Sequence, residues 1–224
     1  MQGLIEMKNV LITGCSRGLG SIVASDLQMR DCNVVSHFRS QCLVKNSKHV
    51  CGDINDNATL DAINEALRTH DINVFVNNAA VHQRKSFLQH TDDDITAIIA
   101  TNLISQIKLV QRVYGWFVER NGGLIINVNS IAGIQPAPGE VVYAATKHGL
   151  KGFSQSLQVE SLGTNIRITD IFPGAMKTDM TRERSNHDQL IDPTEVAKRI
   201  CDIIVSENRT SLETEIVIRK FIQQ

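Results

Sequence analysis

The sequence predicts an α/β protein, a single doubly wound parallel sheet of about seven strands with helices on both faces. Three observations carry this expectation. Short β-branched apolar runs alternate with longer stretches of helical periodicity along the chain. The runs are apolar throughout, rather than at every second residue, as in strands covered on both faces. A glycine-rich turn joins the first run to the first helical stretch.

Taken in order, NVLIT (9–13) is the first strand, and LGSIVASDLQMR (19–30) sets Ile22, Val23 and Leu27 at helical spacing. NVVSHF (33–38) and KHVCG (48–52) are the next strands. SQCLVKNS (40–47) between them is too short and polar for a full helix, so this crossover is abbreviated. ATLDAINEALRTH (58–70) places Leu60, Ile63 and Leu67 on one face of a helix, and NVFVNN (73–78) follows as a buried strand. A long helix covers about 92–119, its start marked by the acidic run TDDD. GLIINVNS (123–130) is a strand, 142–161 an amphipathic helix, and IRITDIF (166–172) a strand stopped by Pro173-Gly174. The helix over 192–206 has Asp192 as its cap and Pro193 at its first position, and TEIVIR (214–219) closes the series. No linker or repeat divides residues 1–224, which predicts one domain.

The 224 residues are 42% hydrophobic and 21% charged, ordinary for a globular chain, with a formal net charge of −1. That balance gives no field for recruiting nucleic acid or an anionic membrane. Nothing approaches a transmembrane span of about 20 apolar residues. The five cysteines contain no CxxC and fit a reducing compartment, so the expected location is cytoplasmic. The seven histidines are scattered without an HExxH, and no metal site is expected.

The glycine-rich turn reads TGCSRGLG, with Gly14, Gly18 and Gly20 after the first strand. Such a turn lets backbone approach a pyrophosphate at the positive end of a helix, which points to a dinucleotide. Arg17 lies in the turn, and Arg39 just past the second strand, where a carboxylate would bind the ribose 2′-hydroxyl of NAD. Guanidinium groups suit a 2′-phosphate instead, so NADP(H) is favoured, with NAD(H) possible. The alternative is that either arginine is a solvated surface residue.

Tyr143 and Lys147, in YAATK, are one helical turn apart and share a face. An isolated pair of this spacing is more often a tyrosine packed under a lysine stem. In company with TGCSRGLG, NNAA (77–80), Asn129-Ser130 and PGAMKTDM (173–180), in that order, it resembles the short-chain dehydrogenase/reductase family over nearly the whole chain. The resemblance implies a Rossmann-type fold and an oxidoreductase with Asn102, Ser130, Tyr143 and Lys147 as its catalytic residues. It implies cofactor contacts at Gly14, Ser16, Arg17, Gly18, Leu19, Gly20, Arg39, Asp53, Ile54, Asn78, Ala79, Ala80, Pro173, Gly174 and Thr178, besides Tyr143 and Lys147. Asn77 and Ala79 match the family's NNAG segment, from which the chain departs at Ala80.

The chemistry expected of these groups is proton transfer beside a hydride acceptor. A carbonyl receiving a hydride becomes an alkoxide that needs a proton and hydrogen-bond donors. A free tyrosine has a pKa of about 10, too high for base work at neutral pH, and an ammonium one turn away favours the phenolate. Tyr143 is then the acid in reduction and the base in oxidation, Ser130 holds the carbonyl oxygen, and Asn102 supports a water leading to Lys147. Asn102 could instead satisfy backbone groups at a helix irregularity, and Ser130 could be a strand-end hydroxyl.

The polar stretch 174–192 reads as a mobile flap over a small carbonyl or alcohol substrate, with Lys177, Arg182 and Arg184 available to an anion but opposed by Asp179, Glu183 and Asp188. The stretch from Tyr143 to Glu183 looks most like 3-oxoacyl-carrier-protein reductases and related bacterial carbonyl reductases, although the tail SLETEIVIRKFIQQ departs from that subgroup. A 3-oxoacyl-thioester reductase and a non-catalytic nucleotide-binding module are the competing functions. Apolar residues on more than one face of the helices at 92–119 and 142–161, among them Ile98, Leu109, Val113, Phe117, Phe153 and Leu157, predict a homodimer or homotetramer through those helices.

Overall fold

The computed structural model describes residues 7–40, 48–206 and 212–220. Seven strands pair in parallel: β1 (Asn9–Ile12), β2 (Asn33–Phe38), β3 (Lys48–Cys51), β4 (Val74–Asn77), β5 (Gly123–Val128), β6 (Ile166–Pro173) and β7 (Glu215–Ile218). Their order across the sheet is β3-β2-β1-β4-β5-β6-β7. The chain builds outward from β1 to β3, then returns to the other side of β1 and builds outward through β4 to β7. The reversal point lies between β1 and β4, at whose carboxyl ends such sheets hold their ligands. The crossover segment 41–47 lies outside the described residues.

Successive side chains along a strand point to opposite faces, and the sequence fills both. Val10 and Ile12 turn to a core shared with α1 (Gly18–Met29) and α6 (Pro193–Val205), where Val23, Leu27, Val196 and Ile200 are buried. Leu11, Phe75 and Ile125 turn to the other core, against Ile63 and Leu67 of α2 (Asn57–Thr69) and Val113 and Phe117 of α4 (Ser105–Glu119). Each such side chain contributes about 1.5–3 kcal/mol when fully buried. Three helix-to-strand turns need a left-handed residue and take it from Asp31, Asp71 and Asn121, short polar side chains that tolerate positive φ.

The helix expected to run unbroken over about 92–119 is interrupted. α3 (Asp92–Ile99) begins as anticipated, with Thr91 and Asp94 forming a capping box. Ala100–Ile104 then form a π-helical turn before α4 resumes. Asn102 sits in this turn and is fully buried. α6 starts as its sequence indicates, Asp192 accepting from the Thr194 amide at 2.9 Å with Pro193 in the first turn.

The six apolar residues singled out on the helices at 92–119 and 142–161 all turn inward. Ile98, Leu109, Val113 and Phe117 are buried, while Phe153 and Leu157 of α5 (Val141–Glu160) pack partly buried against the α4-side core. The outer faces of α4 and α5 carry other apolar groups, Ile104, Val118, Val141 and Val159, together with Gly115 and Gly152, which have open space before them.

Candidate active site

The loops at the carboxyl ends of β1, β4, β5 and β6 converge on one region. The glycine turn leaves β1 with Gly14 at φ 75° and Gly18 at φ 62°. A Cβ on Gly14 would stand 2.8 Å from the Ala79 Cα, and one on Gly20 would stand 2.5 Å from the Gly14 carbonyl oxygen. Gly14 therefore meets both a backbone and a packing requirement, and Gly20 a packing one. No side chain caps α1: Arg17 holds the cap position without a capping hydrogen bond. The first-turn amides of α1 are thus free of side-chain acceptors, the condition under which a helix start receives a phosphate. These residues fit a dinucleotide's pyrophosphate.

The turn is braced by residues that the sequence reading overlooked. Thr13 Oγ1 accepts from the amides of Asn78 at 3.0 Å and Ala79 at 3.1 Å, while Asn78 Nδ2 donates to the Thr13 carbonyl at 2.8 Å. His37 Nδ1 lies 3.4 Å from the Gly14 amide and Nε2 lies 3.0 Å from the Gly52 carbonyl. That network assigns the proton to Nε2 of a neutral ring, and burial pulls the imidazole below its usual pKa. Gln106 donates to the Ala79 carbonyl at 2.7 Å.

Most expected cofactor residues border this turn, but they do so differently. Thr178 lies beside Gly18, with its Cγ2 3.7 Å from a Cβ built there. Arg17 and Arg39 are exposed, and Asp53 accepts from both the amide and the side chain of Asn55, at 2.9 Å each. Leu19 and Ile54 are buried in the two cores, so their side chains are committed to packing and only their backbones can face a ligand.

Ser130 emerges beyond β5 at the start of a short 3-10 turn (Ile131–Gly133), where its hydroxyl accepts from the Ala132 amide at 3.1 Å. A Cβ on Gly133 would lie 2.8 Å from the Lys147 carbonyl oxygen, and this close approach sets the turn on α5. Ser130 is thereby brought beside Tyr143, where its side chain favours the ionised phenol. One turn further along α5, Lys147 Nζ lies 5.7 Å from the Tyr143 ring centre and donates to the Val128 carbonyl at 3.0 Å. Asn102 faces the loop after β4: its Oδ1 accepts from the Val81 amide at 2.8 Å and its Nδ2 donates to the Val81 carbonyl at 2.7 Å. Both ends of the amide thus satisfy backbone at a helix irregularity.

The electrostatics differ from the simple expectation for Tyr143. Burial pushes the phenol up to about 12, opposed by the neighbouring Ser130 side chain, with Glu140 raising it and Arg184 lowering it. Lys147 is itself pulled down to about 8 by burial, and Asp170 holds it up. In the protein alone desolvation outweighs the Ser130 side chain and the Arg184 charge at Tyr143.

Above Tyr143 sits a second cluster that the sequence did not announce. Glu140, buried just before α5, receives Arg184 from the 174–192 loop in close contact. His82 Nε2 lies 3.4 Å from the same carboxylate oxygen and Arg84 Nε 3.8 Å, while the His82 ring meets Tyr143 edge-on at 4.9 Å. Burial pushes the Glu140 carboxyl up, but the neighbouring His82, Arg184 and Arg84 leave it below its usual pKa. Of the three cations considered for an anionic substrate, Lys177 pairs with Asp188 at 2.6 Å and Arg182 with Asp179 at 2.8 Å. Of the three, Arg184 is the one whose charge acts on the tyrosine, and its Nε is buried with no acceptor among the described residues. The loop contains two short 3-10 turns, Asp179–Thr181 and His187–Gln189, and its base is cinched by a Met176–Ile191 bridge.

Among known proteins, a family model described as short chain dehydrogenase matches residues 8–189. The 3-oxoacyl-[acyl-carrier-protein] reductase FabG of Salmonella typhimurium is 32% identical over 191 residues, covering 81% of this chain and 78% of the relative. The FabG of Vibrio harveyi is 31% identical over 220 residues, covering 88% and 89%. A crystal structure of 3-ketoacyl-(acyl-carrier-protein) reductase from Brucella melitensis, complexed with NADH, superposes with a TM-score of 0.86 at 22% identity, covering 96% of this chain and 97% of that one. An actinorhodin polyketide ketoreductase with NADPH gives 0.83 at 20%, covering 97% of each. These two structural likenesses concern the fold.

Proposed function

The chain belongs to the short-chain dehydrogenase family, and from that premise we propose that it uses NADP(H) to interconvert a carbonyl and a secondary alcohol on a small metabolite. The observation that carries the proposal is the buried Tyr143 beside Ser130, with the buried Lys147 one helical turn away and its Nζ 5.7 Å from the tyrosine ring, at the carboxyl ends of the strands. The bound nicotinamide supplies the hydride. Ser130 and Tyr143 donate hydrogen bonds to the substrate oxygen, and Tyr143 gives up its proton as that oxygen gains charge. Lys147 provides positive charge one helical turn away, which eases the loss of that proton. Asn102 holds the π-helical turn against the loop after β4.

NADP(H) is supported by Arg17 and Arg39 at the surface near the turn, and by the NADPH and NADP named with two solved structures of this fold. A second reading, reduction of a 3-oxoacyl thioester, is favoured by the identity to the two FabG proteins. No helix among the described residues is long and apolar enough to cross a membrane. Cytoplasmic residence is supported by the free thiols of Cys15, Cys32, Cys51 and Cys201. A homodimer or homotetramer is supported by the exposed apolar and glycine positions of α4 and α5.

The test is nicotinamide absorbance with NADPH and NADH against a panel of ketones, aldehydes and 3-oxoacyl thioesters. Tyr143→Phe should lower kcat about 10²–10⁴-fold while NADPH binding, followed by fluorescence, is retained. A variant turning over at the wild-type rate would remove Tyr143 from the chemistry.

A further inference from the structure

Lys147 is charged in the proposed reaction, yet its surroundings oppose the charge. The residue is 3% exposed and donates to a neutral acceptor, the Val128 carbonyl. An ammonium so placed gives up its proton unless an anion holds it. The opposite charge acting on it is Asp170, a carboxyl buried at the centre of β6 within an otherwise apolar run.

Asp170 is not placed there for packing. Strand register sets Asn77, Asn127, Asp170 and Glu215 side by side across β4, β5, β6 and β7. Asn127 Nδ2 donates to Ser154 Oγ of α5 at 3.1 Å, so this polar row faces the helix that carries Lys147. Ser154 and Asn127 lie against the carboxyl group, but neither oxygen accepts a well-aligned hydrogen bond. A buried carboxyl so poorly served costs more than an apolar side chain of the same size.

We propose that Asp170 is a positioning residue, a buried carboxylate whose charge keeps Lys147 in its ammonium form beneath Tyr143. The catalytic meaning of this role rests on the oxidoreductase reading above. Other charged or titratable groups nearby are Tyr143 and Lys151 on α5 and Glu215 on β7. Glu215 opposes ionisation of Asp170, but it lies 3.7 Å from Lys151 and accepts from Gln155 at 2.8 Å, so its charge is partly answered at the surface. Burial pushes Asp170 up to about 7 and pulls Lys147 down to about 8. Burial thus works against both charges, while each charge favours the other.

The test titrates Lys147 directly, by NMR of side-chain-labelled lysine in the cofactor-free protein, with the resonance assigned by its loss in Lys147→Met. In Asp170→Asn the midpoint should fall by about one pH unit or more, and Asp170→Glu should restore it. The alkaline limb of the kcat profile should move down with it, while activity near pH 6 stays at the wild-type level. If Asp170→Asn does not fold, Asp170→Ser carries the same expectation. An unchanged midpoint, or a loss of activity equal at every pH, overturns the role assigned to Asp170. A shifted midpoint in a protein showing no nicotinamide-linked turnover would overturn the oxidoreductase reading and leave the charge coupling standing.

Discussion

Arg39 is the residue on which cofactor choice can be tested most simply. It is exposed past the end of β2, and replacing it removes no core contact. A charge-assisted hydrogen bond to phosphate is worth about 1.5–3 kcal/mol, so Arg39→Asp should weaken NADPH binding roughly tenfold or more and bring NADH to parity or better. Unchanged selectivity in paired kcat/KM measurements would remove the residue from that role. At this scale the sequence was legible wherever a residue type belongs to a spaced motif. Gly14, Ser130, Tyr143 and Lys147 came together as their spacing implied. Glu140 and Asp170 did not stand out, because their importance lies in partners that only folding supplies, namely Arg184 from a distant loop and Lys147 from the next layer. The isolated acid in IRITDIF was the one available signal. The ionisation of Tyr143 was misjudged because spacing along a helix shows the nearby cation and conceals the depth of burial.

Secondary-structure elements were predicted well where periodicity is strong and capping is local, as in α2, α6 and the start of α3. The π-helical turn was missed because one additional residue in a turn leaves the hydrophobic pattern on either side nearly intact. The loop over 174–192 is better anchored than its polar composition implied. Its base is bridged, and Arg184 ties its middle to Glu140 at the head of α5. Glu140→Gln weakens that tie without touching the core. Trypsin should then cut after Arg182 and Arg184 several-fold faster, and KM for the carbonyl substrate should rise more than kcat falls. Equal cleavage rates in the two proteins would mean that the ion pair does not restrain the loop.

For the molecule as a whole, the parallel sheet and its helix layers followed from the alternation of apolar runs, since a parallel sheet must be covered on both sides. The surface was less legible. The apolar residues singled out on the two long helices serve the chain's own core, and the outward faces of α4 and α5 carry Gly115, Gly152 and a few exposed valines. Small residues let helices approach closely, so Gly152→Arg should convert the assembly to a lower mass in sedimentation velocity and lower its melting temperature. A wild-type protein that sediments as a monomer would end the oligomer proposal.

The widened turn at Ala100–Ile104 has a consequence for how this chain divides its labour. Each helical residue advances the azimuth by about 100°, so one surplus residue re-indexes everything downstream. Upstream and downstream segments can therefore each choose the face they present, instead of inheriting it from a single rigid rod. A stretch that is locally less regular thus rotates α4 relative to α3, so that Leu109, Val113 and Phe117 cover the sheet while Asn102, in the turn itself, meets the loop after β4.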